Sequence, residues 1–413
     1  MSARRGRRGD GSVRTYQTVA GTRYRIEYRV PVDPDDPEAG TTRKGVGGFT
    51  TKGEAAKALR AAVTEVETGR ATVDTKVTVS QFAADWLAGR RASTSTVETY
   101  RRYVRLHIDP YIGSVPLVDL RAARIARLYR DLEARGNHDR GKEGTGLGPN
   151  SVRKVHALLV SILDGALAEH LIATNPAKLP QANPPTAREV KSAKPEIHPW
   201  TAAQLKAFLS WCPHDDTDLS MGWIVVGRTG LRRGELLGLQ WRDVDLTGHK
   251  LAVRRAIVEV KSKGKPTTFP TVPPKNGRPR AVYLDTPTVN ALRAQFNRLA
   301  SIDPALVGAD QAVFVKSDGM LIRPGGVWDR WRAAVDRYNR GRPRDERLPD
   351  IRVHDLRHTH ATLLLEAQTH PKVVQERLGH ANIAITLDLY SHVSPTTQQV
   401  AVQKFEAFMD ATV

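Results

Sequence analysis

One cysteine, Cys212, stands in 413 residues. A lone thiol excludes an intramolecular disulfide and every cysteine-rich zinc module. A reducing compartment, the cytoplasm, is the expected home. Aromatic residues make up only 6% of the chain, and no run approaches the roughly 18 apolar residues that a membrane span needs. The first ten residues, MSARRGRRGD, lack the apolar core of a signal peptide. No internal repeat is visible, and no glycine-rich loop of the phosphate-cradling type, so chemistry driven by a bound nucleotide is not expected and no cofactor is read. Negative charge is also in short supply. Lys and Arg number 63 against 44 Asp and Glu, a formal net charge of +19, which favours a polyanionic partner.

What is present falls into four stretches. Residues 1–74 read as a three-stranded sheet followed by a helix. In RYRIEYRV, Tyr24, Ile26, Tyr28 and Val30 alternate with Arg23, Arg25, Glu27 and Arg29, the period of a half-buried strand. Thr51 and Glu54 form a capping box ahead of an Ala-rich helix that Gly69 should stop. The basic face carrying Arg23, Arg25 and Arg29 suits a DNA groove, or is an ordinary solvated face. Residues 75–179 take a helical period: Val79, Phe82, Trp86 and Leu87 share one face, and Val97, Tyr100, Val104 and Ile108 another. Ser95 with Glu98 is read as the cap of the second helix, and Arg101, Arg102 and Arg105 fall off its apolar stripe as candidate DNA contacts. The long helix that follows is expected to run to about Asn175. Proline-rich 180–197 reads as a linker. The remainder, 198–413, mixes helices with strands near 251–260 and 279–284. The fold class is therefore multidomain: a small β-sheet plus helix, an all-α domain, and a mainly helical α+β domain.

Four segments of the last region carry chemistry. In TGLRRGELLGLQWRDVD, Leu231, Leu236, Leu237 and Leu239 supply core contacts around Arg232, and a divalent-metal nest of Glu235, Asp243 and Asp245 fails on distance. In PPKNGRPRAVYL the Asn276-Gly277 pair signals a hairpin, placing Lys275 at the tip of a two-stranded ribbon; Lys261, Lys263 and Lys265 are rival tips. In HDLRHTH, His354 and His358 have the spacing of a zinc pair. Arg357 shares their face, however, and suits a phosphate better than a dication, while His360 points elsewhere. In LGHANIAITLDLYSHV, Gly379 ends a helix, His380 follows, and Thr386 is a possible cap for a short helix bearing Tyr390. Taken alone, Tyr390 reads as a half-buried core tyrosine.

The order of Arg232, Lys275, His354, Arg357, His380 and Tyr390 resembles the tyrosine recombinases, the phage-type integrases, over the whole of about 200–400. The helical segment resembles that family's core-site-binding domain, and the basic sheet its arm-site-binding domain. The resemblance implies a site-specific recombinase that exchanges DNA strands through a 3′-phosphotyrosyl intermediate on Tyr390, with no metal or ATP. It implies Arg232 and Arg357 on the phosphate, His354 as acid/base, Lys275 as general acid and His380 as a hydrogen-bond donor, with His358 structural. Expected partners are double-stranded DNA at core and arm sites, a homotetramer on synapsed DNA, and DNA-bending or directionality proteins. Two rival readings are a topoisomerase IB-like nicking and resealing enzyme and a DNA-binding regulator whose site has decayed.

Overall fold

The computed structural model describes residues 11–18, 21–31, 40–67, 77–139, 141–193, 198–215, 217–275, 277–384, 386–387 and 397–410. The chain divides into two compact units, Met1–Lys194 and Pro195–Val413.

The first unit begins with the expected antiparallel sheet, β1 (Ser12–Thr18), β2 (Gly21–Pro31) and β3 (Thr41–Phe49), in that order, and helix α1 (Lys52–Glu67). Ile26 and Val30 are buried on one face, as the alternation dictates. The capping box forms: Thr51 Oγ1 accepts from the Glu54 amide at 3.1 Å and Glu54 accepts from the Thr51 amide at 3.3 Å. Gly69 lies outside the described residues.

The helical part contains α2 (Val79–Ala88), α3 (Thr94–Tyr103), α4 (Asp109–Ile112), α5 (Ala122–Arg135), α6 (Pro149–Ala168) and α7 (Ala187–Ser192). Between α3 and α4 one π-helical stretch, Val104–Ile108, turns Val104 and Ile108 into the core. Phe82, Ile125, Leu132, Leu159 and Leu163 are among the side chains that fill that core. Three expectations are corrected here. Ser93, not Ser95, caps α3, accepting from the Thr96 amide, and Glu98 pairs with Arg101 at 2.5 Å instead. Helix α6 stops at Ala168, and Asn175 is spent on the Val160 carbonyl and Asp164. Most of 180–197 is not a free linker: Ala182 is fully buried in the helical core, Arg153 donates to the Pro185 carbonyl at 3.2 Å, and α7 has its own capping box of Thr186 and Glu189. Proline there shapes tight turns against α6 and its neighbours, so its presence is not a sign of solvation.

The second unit contains α8 (Ala202–Trp211), α9 (Ser220–Thr229), α10 (Arg233–Leu237), α11 (Thr286–Ile302), α12 (Val327–Asn339), α13 (Val353–Glu366), α14 (Pro371–Leu378) and α15 (Thr397–Asp410). Its core is held by aromatic contacts: Trp331 lies within 5.4 Å, ring centre to ring centre, of Trp200, Phe208 and Trp223. A small sheet has the order β4 (Val244–Asp245), β5 (Lys250–Val253), β8 (Arg280–Tyr283), and β6 (Ala256–Ile257) pairs with β7 (Thr271–Val272). Among the described residues no helix is long and apolar enough to cross a membrane.

Candidate active site

The site is built where four chain segments meet the C-terminal end of α14. Gly230, with φ +66°, ends α9 and lets the chain turn into α10, for which Arg232 is the residue before the first turn. Leu231, Leu236, Leu237 and Leu239 are all buried, as read from the sequence, and they fix the backbone on both sides of Arg232. The Arg232 guanidinium donates to Glu235 Oε1 at 2.9 Å and to the Gly379 carbonyl at 3.0 Å.

Arg357 rises from the first turns of α13 into the same place. It is 2% exposed and donates to the Gly230 carbonyl at 2.7 Å and the Leu378 carbonyl at 2.6 Å. Burial and the neighbouring Arg232 lower its pKa to about 9, so it keeps its charge at pH 7. Each guanidinium has five N–H groups, and these contacts leave donors on both for a further acceptor.

His354 and His380 complete the cluster. His354 is exposed on one side, and its ring stands perpendicular to that of His358 at 5.2 Å. Burial of its other side, then His358, Arg357 and Arg232, push its pKa down to about 4. His380 follows Gly379, whose φ of +65° closes α14, and its Nδ1 lies 2.8 Å from the hydroxyl of Thr386. Burial, Arg357 and Arg232 push its pKa down to about 3. Both imidazoles are thus neutral at pH 7, each with one ring nitrogen free to accept a hydrogen bond and one N–H to donate. Thr386 is buried and its hydroxyl is the partner of His380, while the short helix bearing Tyr390 that it was read to cap lies outside the described residues.

The acid of HDLRH is engaged elsewhere. Asp355 accepts from the Arg352 amide at 2.9 Å and from the Arg352 side chain, closing its own helix start. Arg357 and Arg232 stand near His354, and among the described residues no group of three or more His, Cys, Asp or Glu side chains is placed to hold a metal ion. His360 points away, as expected, and receives a hydrogen bond from Arg377 at 3.1 Å.

Lys275 is exposed in a turn closed by the Gly277 amide on the Pro274 carbonyl at 2.7 Å; Asn276 lies outside the described residues. The ribbon reading is corrected: the strands flanking this turn, β7 and β8, belong to different sheets. The true two-stranded ribbon is β6–β7, extended by the Val260–Thr268 bridge, and its loop holds Lys261, Lys263 and Lys265. Tyr390 lies outside the described residues.

Arg280 escaped the sequence reading, and Glu235 was weighed there only as a metal ligand. Glu235 is 2% exposed, and Arg280 donates to it through two nitrogens, at 3.0 and 2.7 Å. Burial alone would raise the Glu235 pKa, but Arg280 and Arg232 hold it down at about 2. A buried acid spaced three residues after an arginine was the available signal.

The candidate DNA contacts divide similarly. Arg23, Arg25 and Arg29 share the sheet face opposite Ile26 and Val30, where Arg14, Arg25 and Arg43, one from each strand, surround Glu27. Arg101 pairs with Glu98 and Arg102 with Asp139, and Arg101 and Arg105 together line a groove with Ser80, Leu87 and Asp109.

The phage integrase family matches residues 200–397, and the phage integrase N-terminal SAM-like domain matches 78–132. The chain belongs to that family, the tyrosine recombinases, and is a site-specific recombinase of that class. It is 28% identical to the ICEBs1 integrase of Bacillus subtilis, over 63% of this chain and 67% of that one. It is 25% identical to a XerC-like tyrosine recombinase of Caldanaerobacter subterraneus, over 74% of each. A solved fragment of the Tn1549 transposon integrase in complex with transposon right end DNA shares the fold, with a TM-score of 0.65 and 20% identity over 80% of this chain and 99% of the fragment.

Proposed function

We propose that this recombinase cuts DNA by attack of the Tyr390 phenol on a phosphodiester, forming a 3′-phosphotyrosyl link and releasing a 5′-hydroxyl, with no ATP or metal. The observation that supports it is the convergence of Arg232, Arg357, His354 and His380 on the end of α14, in the chain order that ends in Tyr390.

A phenol with a pKa near 10 is protonated at pH 7 and needs a base. Neutral His354 takes that proton as the phenolic oxygen bonds to phosphorus. Negative charge then gathers on the two nonbridging oxygens, where Arg232 and Arg357 supply forked N–H donors and His380 one more. As the bond to the 5′-oxygen breaks, that oxygen collects a proton from Lys275. One phosphodiester is exchanged for another, so bond energy is kept for the reverse attack by a partner strand's 5′-hydroxyl.

DNA carries a charge about every 1.7 Å of axis, and the Lys and Arg excess supplies the matching affinity. The helical domain, with Arg101, Arg102 and Arg105, takes the core site, and the sheet, with Arg23, Arg25 and Arg29, an arm site. The fold shared with a Tn1549 integrase fragment solved on DNA supports a duplex partner, and the family resemblance motivates a tetramer on two duplexes, with accessory proteins bending the DNA. Tyr390→Phe is the direct test: duplex binding is retained and the covalent protein–DNA adduct is lost. An adduct at normal yield refutes the assignment.

A further inference from the structure

Arg280 is a cation with a buried side chain that no step of the proposed chemistry uses. It opens β8, directly downstream of the Lys275 turn, and its side chain is 8% exposed. Nη1 and Nη2 donate to the two oxygens of Glu235, at 3.0 and 2.7 Å, while Nε donates to the Arg377 carbonyl at 2.9 Å. Arg232 makes a parallel pair of contacts, to the same carboxylate and to the Gly379 carbonyl. Gly379 fits closely against this arrangement: a Cβ there would come within 3.1 Å of Arg280 Cδ and Nη1.

We propose that Arg280 is a positioning residue that sets the aim of Arg232 and seats the Gly379–His380 turn, while never touching the phosphate. The inference rests on the reading of Arg232 and His380 as phosphate ligands. Glu235 is a buried anion between two guanidinium groups. With Arg280 holding both of its oxygens, its charge is shared and Arg232 keeps donors for a substrate oxygen. Without Arg280, the whole unshielded carboxylate faces Arg232 alone in a site of low polarity and draws that guanidinium inward. The contact of Nε with the Arg377 carbonyl is lost at the same time, which frees the last turn of α14 next to His380. Arg280 also ties the start of β8 to both elements, so the Lys275 turn gains a fixed anchor on its downstream side.

The experiment measures single-turnover covalent capture and duplex affinity for full-length variants. The probe is a nicked duplex recovered from a randomised pool by covalent capture on the wild-type protein. If the wild type captures nothing, the phosphotyrosyl reading fails before any variant is made, which keeps the two failures apart. Arg280→Met is expected to bind the probe within about threefold of wild type and to capture it roughly 100-fold more slowly, the loss typical of a misplaced transition-state donor. Arg280→Lys, which keeps the charge and loses the fork, is expected to recover about tenfold of that rate. The discriminating variant is Arg280→Met with Glu235→Gln. Removing the carboxylate's charge releases Arg232, and capture rises about tenfold over Arg280→Met alone, an effect that lost packing does not produce. The proposal is overturned if Arg280→Met captures at the wild-type rate, if affinity and capture fall together, or if the double variant is no faster than the single. Should Arg280→Met fail to fold by circular dichroism, Arg280→Lys with and without Glu235→Gln carries the same comparison.

Discussion

Arg232, just ahead of α10, and Arg357, within α13, donate to adjacent carbonyls, those of Gly379 and Leu378, at 3.0 and 2.6 Å. With Arg280 on the Arg377 carbonyl, three successive C=O groups at the end of α14 are each capped by a different arginine. A helix C-terminus carries partial negative charge and unsatisfied acceptors, so these cations are held where they also satisfy the backbone.

Arg357→Lys keeps a charge but cannot reach the Gly230 and Leu378 carbonyls as a fork. Covalent capture should fall by about 100-fold, and denaturant melts should show a loss of about 1 to 3 kcal/mol from the carbonyls left without donors. Wild-type stability in the lysine variant would show that the buried fork does not hold the fold.

Gly230→Ala tests the turn that delivers Arg232. The position needs φ +66°, and a Cβ would meet Leu378 Cδ2 at 2.5 Å and His360 Cδ2 at 3.0 Å. The left-handed backbone alone costs about 1 to 2 kcal/mol for an L-residue, and the contacts add to it, so the melting temperature should drop by several degrees. An unchanged melt would mean that the turn is free to relax.

Acid stability follows from the imidazoles. His360 is buried beside Arg377, and burial first, then that arginine, lowers its pKa from 6.5 to about 3. His354 and His380 are lowered in the same direction. Above pH 6.5 both folded and unfolded states hold these groups neutral. Below it the unfolded chain binds protons that the folded chain refuses, so stability falls as pH drops from about 6.5 towards the folded values. Between pH 6.5 and 5, His360 alone accounts for about 2 kcal/mol. His360→Gln should flatten that slope in thermal melts at pH 7, 6 and 5, and an equal slope in the variant would assign it to other groups.

Lys275 and the ribbon lysines can be told apart chemically. Lys275→Ala should slow cleavage of an ordinary duplex by about 100-fold or more, as for a lost general acid. A duplex with sulfur at the 5′-bridging position has a leaving group that needs no proton, and cleavage of it should be restored. If Lys263→Ala or Lys265→Ala shows this pattern instead, the acid sits on the β6–β7 ribbon.

The legible part of this protein was its local chemistry. The alternation in β2, the capping box of Thr51 and Glu54, the burial of four leucines around Arg232 and the left-handed Gly379 are written in short windows, and each formed as read. The order of the six site residues was enough to place the chain in its family. What failed were choices between equal local signals. Ser93 and Ser95 are both adequate caps, and the one whose side chain reaches the third amide of the helix wins. Asn-Gly marks a turn, but which strand pairs with which depends on partners far along the chain; β8 found β5, not β7. The Glu235–Arg280 pair was invisible for the same reason, since no window contains both residues.

The clasp on α14 is made by peptide oxygens, which every amino acid carries. The exposed side chains of that helix, such as Lys372 and Val373, can therefore drift through many generations of mutation while the guanidinium groups keep their aim. Tolerance should end at Gly379, the one place where adding a single carbon both forces the chain out of its turn and presses on Arg280.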